Sequence, residues 1–208
     1  MKYYPIFLNL KGRRVLIIGA GRVTFQKLPQ LLQCQAKILV VAPQALPEIK
    51  RLSRDGKIEW FARPYRAADL KGVSLMIAAT DDPDLQKKVA KDAQGRGIWA
   101  NIVDVPRLCD FIAPAIVSRG DIQIAISTGG AAPALAKHLR QKLEGLIGQD
   151  YADLVDVIKK LRPDILRLTK KRRASIWERV VNEAFFDKIR RHGIAQAETR
   201  LKEWIHAR

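Results

Sequence analysis

A buried strand followed by a glycine turn is predicted at residues 14–24, whose sequence is RVLIIGAGRVT. The aliphatic run over 14–18 is typical of a strand covered on both faces of a parallel sheet. Gly19 and Gly21 follow this run directly, and apolar residues then recur at roughly helical spacing. The first glycine permits a tight turn, and the second lets the backbone approach a pyrophosphate at a helix N-terminus. The stretch favours a dinucleotide-binding unit, and a glycine turn that only packs is the alternative.

Four further apolar runs predict the remaining strands of the same sheet. They occupy residues 38–42, 58–61, 73–79 and 98–103. Strands that alternate with helices at this spacing are typical of a doubly wound, Rossmann-like α/β fold with a parallel sheet. Pro29 is unusual in the first helix, because a proline inside a helix removes a backbone donor and favours a kink.

The pattern changes after Pro106. Apolar stretches at 110–117 and 122–127 flank the turn-forming residues 118–121, which predicts a β-hairpin. A helix is expected from about 134 to 145, and helical periodicity dominates after residue 150. We therefore expect a sheet domain over 1–113, a hairpin-helix segment over 114–148 and a helical domain over 149–208.

Composition bounds the class of protein. The chain of 208 residues holds 38 Lys and Arg against 21 Asp and Glu, for a formal net charge of +17. Its apolar content excludes a disordered chain, and no run of about 18 apolar residues or signal-peptide pattern occurs, so a cytoplasmic protein is expected. The two cysteines form no CxxC pair and are expected to be reduced. Such a charge suits nucleic acid, an anionic membrane surface or a polyanionic small substrate, and composition does not choose among them.

The end of the second strand departs from the usual dinucleotide pattern. An acidic residue that binds the ribose is expected about 20 residues after the glycine turn. The chain instead has Pro43 and Gln44 there. Either backbone groups and Gln44 bind the ribose of NAD, or the cofactor is NADP, although no arginine follows the strand to bind a 2′-phosphate.

Polar residues end the fourth and fifth strands. Because ligands bind at the carboxyl ends of such strands, Thr80, Asn101 and Asp104 are expected to reach one ligand. Asp82 is better interpreted as a helix cap. Asp104 could be a simple turn former, or a general base beside a nicotinamide.

A second candidate anion site precedes the helix at 134–145. Ser127, Thr128, Gly129 and Gly130 could bind an anion through backbone N–H groups, and a plain loop is the alternative. Lys137 on the helix could contact substrate or belong to a solvated face. The three histidines are far apart without ligand spacing, so no metal site is identified and the metal ligands remain unknown. The short basic run at 170–173 lacks interleaved aromatic residues, so nucleic-acid binding is not expected.

Several short blocks occur in a fixed order along the chain. They are PIFLNLKGR at 5–13, the glycine turn, VVAP at 40–43, AATDD at 78–82, NIVD at 101–104, LCDF at 108–111 and AISTGG at 125–130. Together they give this sequence a strong resemblance to the precorrin-2 dehydrogenase family, which includes the N-terminal half of siroheme synthase. The resemblance covers about residues 3–145. It implies NAD-dependent oxidation of precorrin-2 to sirohydrochlorin, followed in some members by insertion of ferrous iron to give siroheme.

The resemblance also implies roles for residues. Gly19, Gly21, Arg22 and Val23 match the pyrophosphate turn, and Pro43 and Gln44 match the adenosine end of the cofactor site. Asp104 matches the catalytic aspartate; Asn101 and Thr128 line the same cleft, with Ser127, Gly129, Gly130 and Lys137 as further substrate contacts. Residues 114–148 match a dimerisation segment, so a homodimer is expected.

The implied substrate is a tetrapyrrole with eight carboxylic side chains, which accounts for a basic protein without nucleic acid or membrane. Two departures from the family pattern are the bulky Thr24, expected to hold helix and strand slightly apart, and Gln35 where a glycine is usual. The alternative functions are a protein that is mainly a sirohydrochlorin ferrochelatase, and a non-catalytic protein that binds a tetrapyrrole or dinucleotide.

Overall fold

The computed structural model describes residues 2–207, and the chain divides into two compact units between Ala113 and Pro114. The finer division of the second part at residue 148 stays a prediction. Among the residues described, no helix has the length and apolar character needed to cross a membrane.

The first unit is an α/β unit built on a five-stranded parallel sheet. Its strands lie in the order β3-β2-β1-β4-β5. The elements are β1 (Arg14–Ile18), α1 (Arg22–Gln33), β2 (Lys37–Val41), α2 (Pro47–Arg54), β3 (Glu59–Phe61), β4 (Val73–Ala78), α3 (Pro83–Gln94) and β5 (Trp99–Ile102). Short 3-10 helices follow β3 at Ala67–Leu70 and β5 at Pro106–Leu108. This order and the helices between the strands confirm the predicted Rossmann-like fold.

Apolar side chains cover both faces of this sheet, as the continuous aliphatic runs predict. Helices α1 and α2 pack on one face through Leu28, Leu31 and Ile49. Helix α3 packs on the other through Val89 and Ala93. Helix α1 continues without a break through Pro29, which lies on its exposed side, and the neighbouring Leu28 and Leu31 anchor the helix to the sheet.

The second unit begins with the predicted hairpin. Strands β6 (Ala115–Arg119) and β7 (Ile122–Ile126) pair antiparallel around a turn in which Gly120 has a φ of +55°. The prediction that the first strand starts at residue 110 was wrong. Residues 109–111 instead bond to β5 in the first unit, as described below, so they are unavailable to a hairpin.

Five helices complete the second unit. They are α4 (Pro133–Leu146), α5 (Gln149–Arg167), α6 (Lys170–Val180), α7 (Glu183–His192) and α8 (Ile194–His206). The last four enclose an apolar core of their own. Val181 directly follows the buried Val180, but its own side chain is 70% exposed because α6 ends there and Asn182 caps α7.

Candidate active site

The glycine turn lies where three strands end. Gly19 has a φ of +97°, and a Cβ at this position would lie 2.0 Å from the carbonyl oxygen of Ala79. Its N–H donates to the carbonyl of Val41 at 3.0 Å. The turn therefore sits against the ends of both β2 and β4, and only glycine fits there.

Thr24 stabilises this turn from the first helix. Its side chain is fully buried, and its hydroxyl donates to the Gly19 carbonyl at 2.8 Å. The sequence pattern predicts Thr24 only as a bulky substitute for a smaller residue. It does not predict the role of the hydroxyl, which links the helix to the turn by a hydrogen bond.

The start of α1 fits a dinucleotide pyrophosphate. Gly21 precedes the helix with no side-chain cap, and no atom lies within 4 Å of where its Cβ would be. The first turn has no acidic residue, and Arg22 and Val23 are exposed there. Free N–H groups, the helix dipole and open space together make a suitable anion site.

The segment after β2 borders the glycine turn. The N–H of Leu46 donates to the carbonyl of Ala20 at 3.1 Å, which holds the two loops together. Pro43 and Gln44 lie at the start of this segment with exposed side chains. They are thus placed at the same sheet edge as Gly21, on the β2 side.

The loop after β4 uses its polar residues mostly for local structure. Asp82 accepts from the N–H groups of Asp84 and Leu85 at 3.0 and 3.1 Å, which confirms the predicted helix cap. The carbonyl of Thr80 accepts from the Gln86 side chain at 2.7 Å. Thr80 is half-buried directly beside the Gly19 turn.

Asp104 follows β5 by two residues in a left-handed backbone conformation, with a φ of +62°. Among the hydrogen bonds and ion pairs of residues 2–207, none involves its exposed carboxylate. Asp104 does lie in a turn, since the N–H of Val105 donates to the Ile102 carbonyl at 3.1 Å. A turn position that leaves a carboxylate open to a ligand is compatible with both interpretations of this residue.

Asn101 is turned toward the protein. It is 8% exposed, and its side-chain amide donates to the carbonyl of Phe111 at 3.0 Å. The structure therefore gives this residue a role in holding the segment that returns past β5. Direct contact of Asn101 with a cofactor stays a prediction.

Lys27 is a basic residue near Asp104 that the motif pattern does not reveal. It lies half-buried on α1, one turn after Thr24. Burial lowers the pKa of Lys27, and the negative charge of Asp104 acts in the opposite direction. Only the folded chain brings a cation of α1 into the electrostatic field of the β5 loop.

The other candidate residues form a loop within the second unit. The hydroxyls of Ser127 and Thr128 accept from the N–H groups of Gly129 and Ala132 at 3.0 and 3.1 Å. Gly129 and Gly130 both have a positive φ, and α4 begins without a side-chain cap. Lys137 is exposed one turn into that helix. The loop is shaped by its own hydroxyls, and its contact with a substrate stays a prediction.

Comparison with protein families matches the first unit. A family model described as "Putative NAD(P)-binding" matches residues 6–115, just over half of the chain. The chain belongs to this NAD(P)-binding family. Membership agrees with the glycine turn and indicates a nicotinamide dinucleotide as ligand. A second model, "Sirohaem biosynthesis protein central", matches residues 119–146.

Curated relatives and a solved structure extend the likeness over the whole chain. Siroheme synthase of Actinobacillus pleuropneumoniae serotype 3 is 36% identical over 99% of this chain and 43% of its own length. Siroheme synthase of Photorhabdus laumondii is 38% identical over 99% of this chain and 44% of its own length. The chain thus spans less than half the length of these relatives. SirC, a precorrin-2 dehydrogenase of known structure, has a TM-score of 0.78 at 25% identity, over 97% of this chain and all of its own.

Proposed function

We propose that this protein oxidises precorrin-2 to sirohydrochlorin with NAD as the hydride acceptor, and that Asp104 is its general base. One observation carries the proposal: two open features lie at the same edge of one sheet. They are the N-terminus of α1, which has no side-chain cap, and the exposed carboxylate of Asp104. The likeness to siroheme synthases and to SirC supplies the substrate class.

The strand order sets the distance that the reaction must span. Strand β4 lies between β1, which leads to the glycine turn, and β5, which leads to Asp104. Two strand spacings amount to about 10 Å, within the reach of a dinucleotide whose pyrophosphate lies at α1. A bound nicotinamide supplies hydride acceptance. Asp104 takes the proton that leaves the same substrate, so the loss of one hydride and one proton from the tetrapyrrole is balanced.

The residues beside β2 favour NAD over NADP. A 2′-phosphate is usually bound by a nearby arginine. Arg63 follows β3, which is the neighbour of β2, but its guanidinium already bonds to both carboxylate oxygens of Asp69 at 2.9 and 2.6 Å. We therefore expect a higher kcat/KM with NAD than with NADP.

The decisive experiment compares Asp104→Asn with the wild type under anaerobic conditions. Pure protein, enzymatically made precorrin-2 and NAD should give NADH and the sirohydrochlorin spectrum. The variant keeps the shape but loses the base, so kcat should fall about a hundredfold or more while NAD affinity is unchanged. Asp55→Asn, which changes an exposed carboxylate at the end of α2, is the matched control and should turn over normally. Full activity of Asp104→Asn would overturn the role of Asp104, and absence of NADH from the wild type would overturn the activity.

Ferrous iron enters as a second substrate to be assayed, not as a resident cofactor. Residues 2–207 contain no group of three or more His, Cys, Asp or Glu side chains placed to hold a metal ion. Iron insertion by this chain would use Asp104 to accept the pyrrole N–H protons. Sirohydrochlorin and ferrous iron without NAD measure that step separately, and tight tetrapyrrole binding without turnover in either assay would favour a carrier protein.

We further propose that the protein is a cytoplasmic homodimer assembled through α4. Leu135, Leu139 and Leu146 are 50%, 37% and 62% exposed on that helix. Spacings of four and seven residues place them on one side of the helix, and such an exposed apolar stripe is typical of an interface. The loop at Ser127–Gly130 and Lys137 belong to the same unit, and we propose that they bind carboxylates of the tetrapyrrole.

A further inference from the structure

The outer edge of β5 is covered by the segment that returns after Asp104. Strand β5 has β4 on one side only, so the backbone groups on its other side need partners. Asp110 provides two of them. Its carboxylate accepts from the N–H of Ala100 at 2.9 Å, and its own N–H donates to the Ala100 carbonyl at 2.9 Å.

Cys109 provides the next partners along this edge. The N–H of Ile102 donates to the sulfur at 3.2 Å, and the thiol in turn lies 3.1 Å from the Ile102 carbonyl. The same thiol lies 3.4 Å from the carbonyl of Val105. One sulfur atom thus contacts backbone groups on both sides of Asp104, two residues before it and one residue after it.

The contacts of Cys109 close a small loop with Asp104 near its tip. Asp104 has a φ of +62°, a left-handed conformation that Asp tolerates better than most L-residues and that contacts of the surrounding loop can stabilise. The thiol is well suited to hold it, because burial raises the pKa of Cys109 and keeps the sulfur protonated as a donor. Nothing else in the proposed chemistry uses this thiol.

We propose that Cys109 is a positioning residue that fixes the Asp104 carboxylate for proton transfer by bonding to the backbone at Ile102 and Val105. The proposal rests on the proposed role of Asp104 as the general base. A displacement of about 1 Å at a reacting group can lower a rate as much as a hundredfold, so a loosened loop should act on kcat. It should leave NAD affinity alone, since the glycine turn belongs to other strands.

Two substitutions separate hydrogen bonding from packing. Cys109→Val fills the space of the thiol but can neither donate nor accept. Cys109→Ser retains a donor and an acceptor in a smaller side chain. The matched control is Cys34→Ser, because Cys34 is the exposed second cysteine at the end of α1.

The test is steady-state oxidation of precorrin-2 with NAD, measured as a function of pH, with thermal melting to verify the fold. We expect kcat to fall about tenfold or more in Cys109→Val, with KM for NAD unchanged within about twofold. Cys109→Ser should recover most of that loss, and Cys34→Ser should match the wild type.

Three results would overturn the proposal. Wild-type kcat in Cys109→Val, alongside an inactive Asp104→Asn, would show that the base needs no support from the thiol and would leave the proposed function standing. Equal losses in Cys109→Val and Cys109→Ser would assign the effect to packing. Full activity of Asp104→Asn would remove the base itself, and with it any positioning role for Cys109.

Discussion

At the scale of single residues, the two glycines of the turn are predicted to differ in what they do. Gly19 has a positive φ and its Cβ would collide with the Ala79 carbonyl at 2.0 Å, whereas Gly21 has a φ of −91° and open space around it. Gly19→Ala should therefore destabilise the first unit by about 3 kcal/mol or more, because backbone at the end of β4 must move. The free energy of unfolding of Gly21→Ala should lie within about 0.5 kcal/mol of the wild-type value.

The same pair tests the cofactor site. A methyl group at Gly21 projects into the space where a pyrophosphate is expected, so NAD affinity should fall about tenfold or more in Gly21→Ala while the fold is intact. Urea unfolding and NAD titration of both variants provide the measurements. A Gly21→Ala protein that binds NAD as tightly as the wild type would place the cofactor elsewhere.

How much the sequence predicts at this scale depends on whether a residue belongs to a recognisable local pattern. Gly19 directly follows a buried strand and Asp82 precedes a proline at a helix start, so the turn and the cap are predictable from the local sequence, although the close approach of Gly19 to Ala79 is not. Thr24 and Cys109 act through hydrogen bonds to backbone groups five and seven residues away along the chain. Such bonds follow no regular spacing, and so the sequence pattern gives no sign of them.

At the scale of elements, the 3-10 helix at Ala67–Leu70 is predicted to depend on one carboxylate. Asp69 accepts from the Arg63 guanidinium and also from the N–H of Arg66 at 2.8 Å. The hydrogen bonds from Arg63 hold the pKa of the Asp69 carboxyl below its usual range. Asp69→Asn should lower the free energy of unfolding at pH 7 by about 2 kcal/mol, since charge-assisted bonds to a side chain only 9% exposed are lost.

The pH dependence of this effect has a definite sign. A carboxyl whose pKa is lowered on folding contributes stability above its ordinary pKa of about 4, and that contribution is lost as the pH falls through the folded value. The difference between Asp69→Asn and the wild type should therefore shrink below about pH 4 in urea unfolding. Lys87→Gln, which breaks an exposed pair with Asp84, is the control and should change little at either pH. A difference that stays constant down to pH 2.5 would contradict an ionised Asp69 as the source.

The start of the hairpin shows why the bounds of β6 are harder to predict than those of the strands in the parallel sheet. Residues 110–117 are apolar enough to read as one strand, yet the strand begins at Ala115. The preceding residues form a different set of bonds, because the free edge of β5 offers backbone partners that periodicity does not encode. The core strands have no such competition, and their predicted bounds agree with the structure to within one residue.

At the scale of the whole molecule, the charge of +17 opposes association of two copies of the chain, whereas the exposed leucine stripe on α4 favours it. Like charges repel, so two copies of this chain associate only through a surface that buries enough apolar area to offset that repulsion. The proposed substrate carries eight carboxylates, and a positively charged protein surface would steer such an anion toward its site. The sign of the net charge follows from the composition alone. The exposed leucines of α4 are identified only from the folded structure.

The proposed dimer leads to a prediction about this stripe. In a two-fold symmetric interface each substitution occurs twice, so Leu139→Arg places two cations in the contact and should convert the protein to a monomer of about 23.5 kDa. Leu166→Arg is the matched control, because Leu166 is 54% exposed on α5 and lies outside the stripe. Light scattering coupled to size exclusion gives the masses, and circular dichroism verifies that both variants fold. A wild-type protein that is monomeric at micromolar concentration would show that the stripe has another use. A Leu139→Arg protein that stays dimeric would show the same, because an interface of three leucines loses much of its affinity when it must bury two unpaired guanidinium groups.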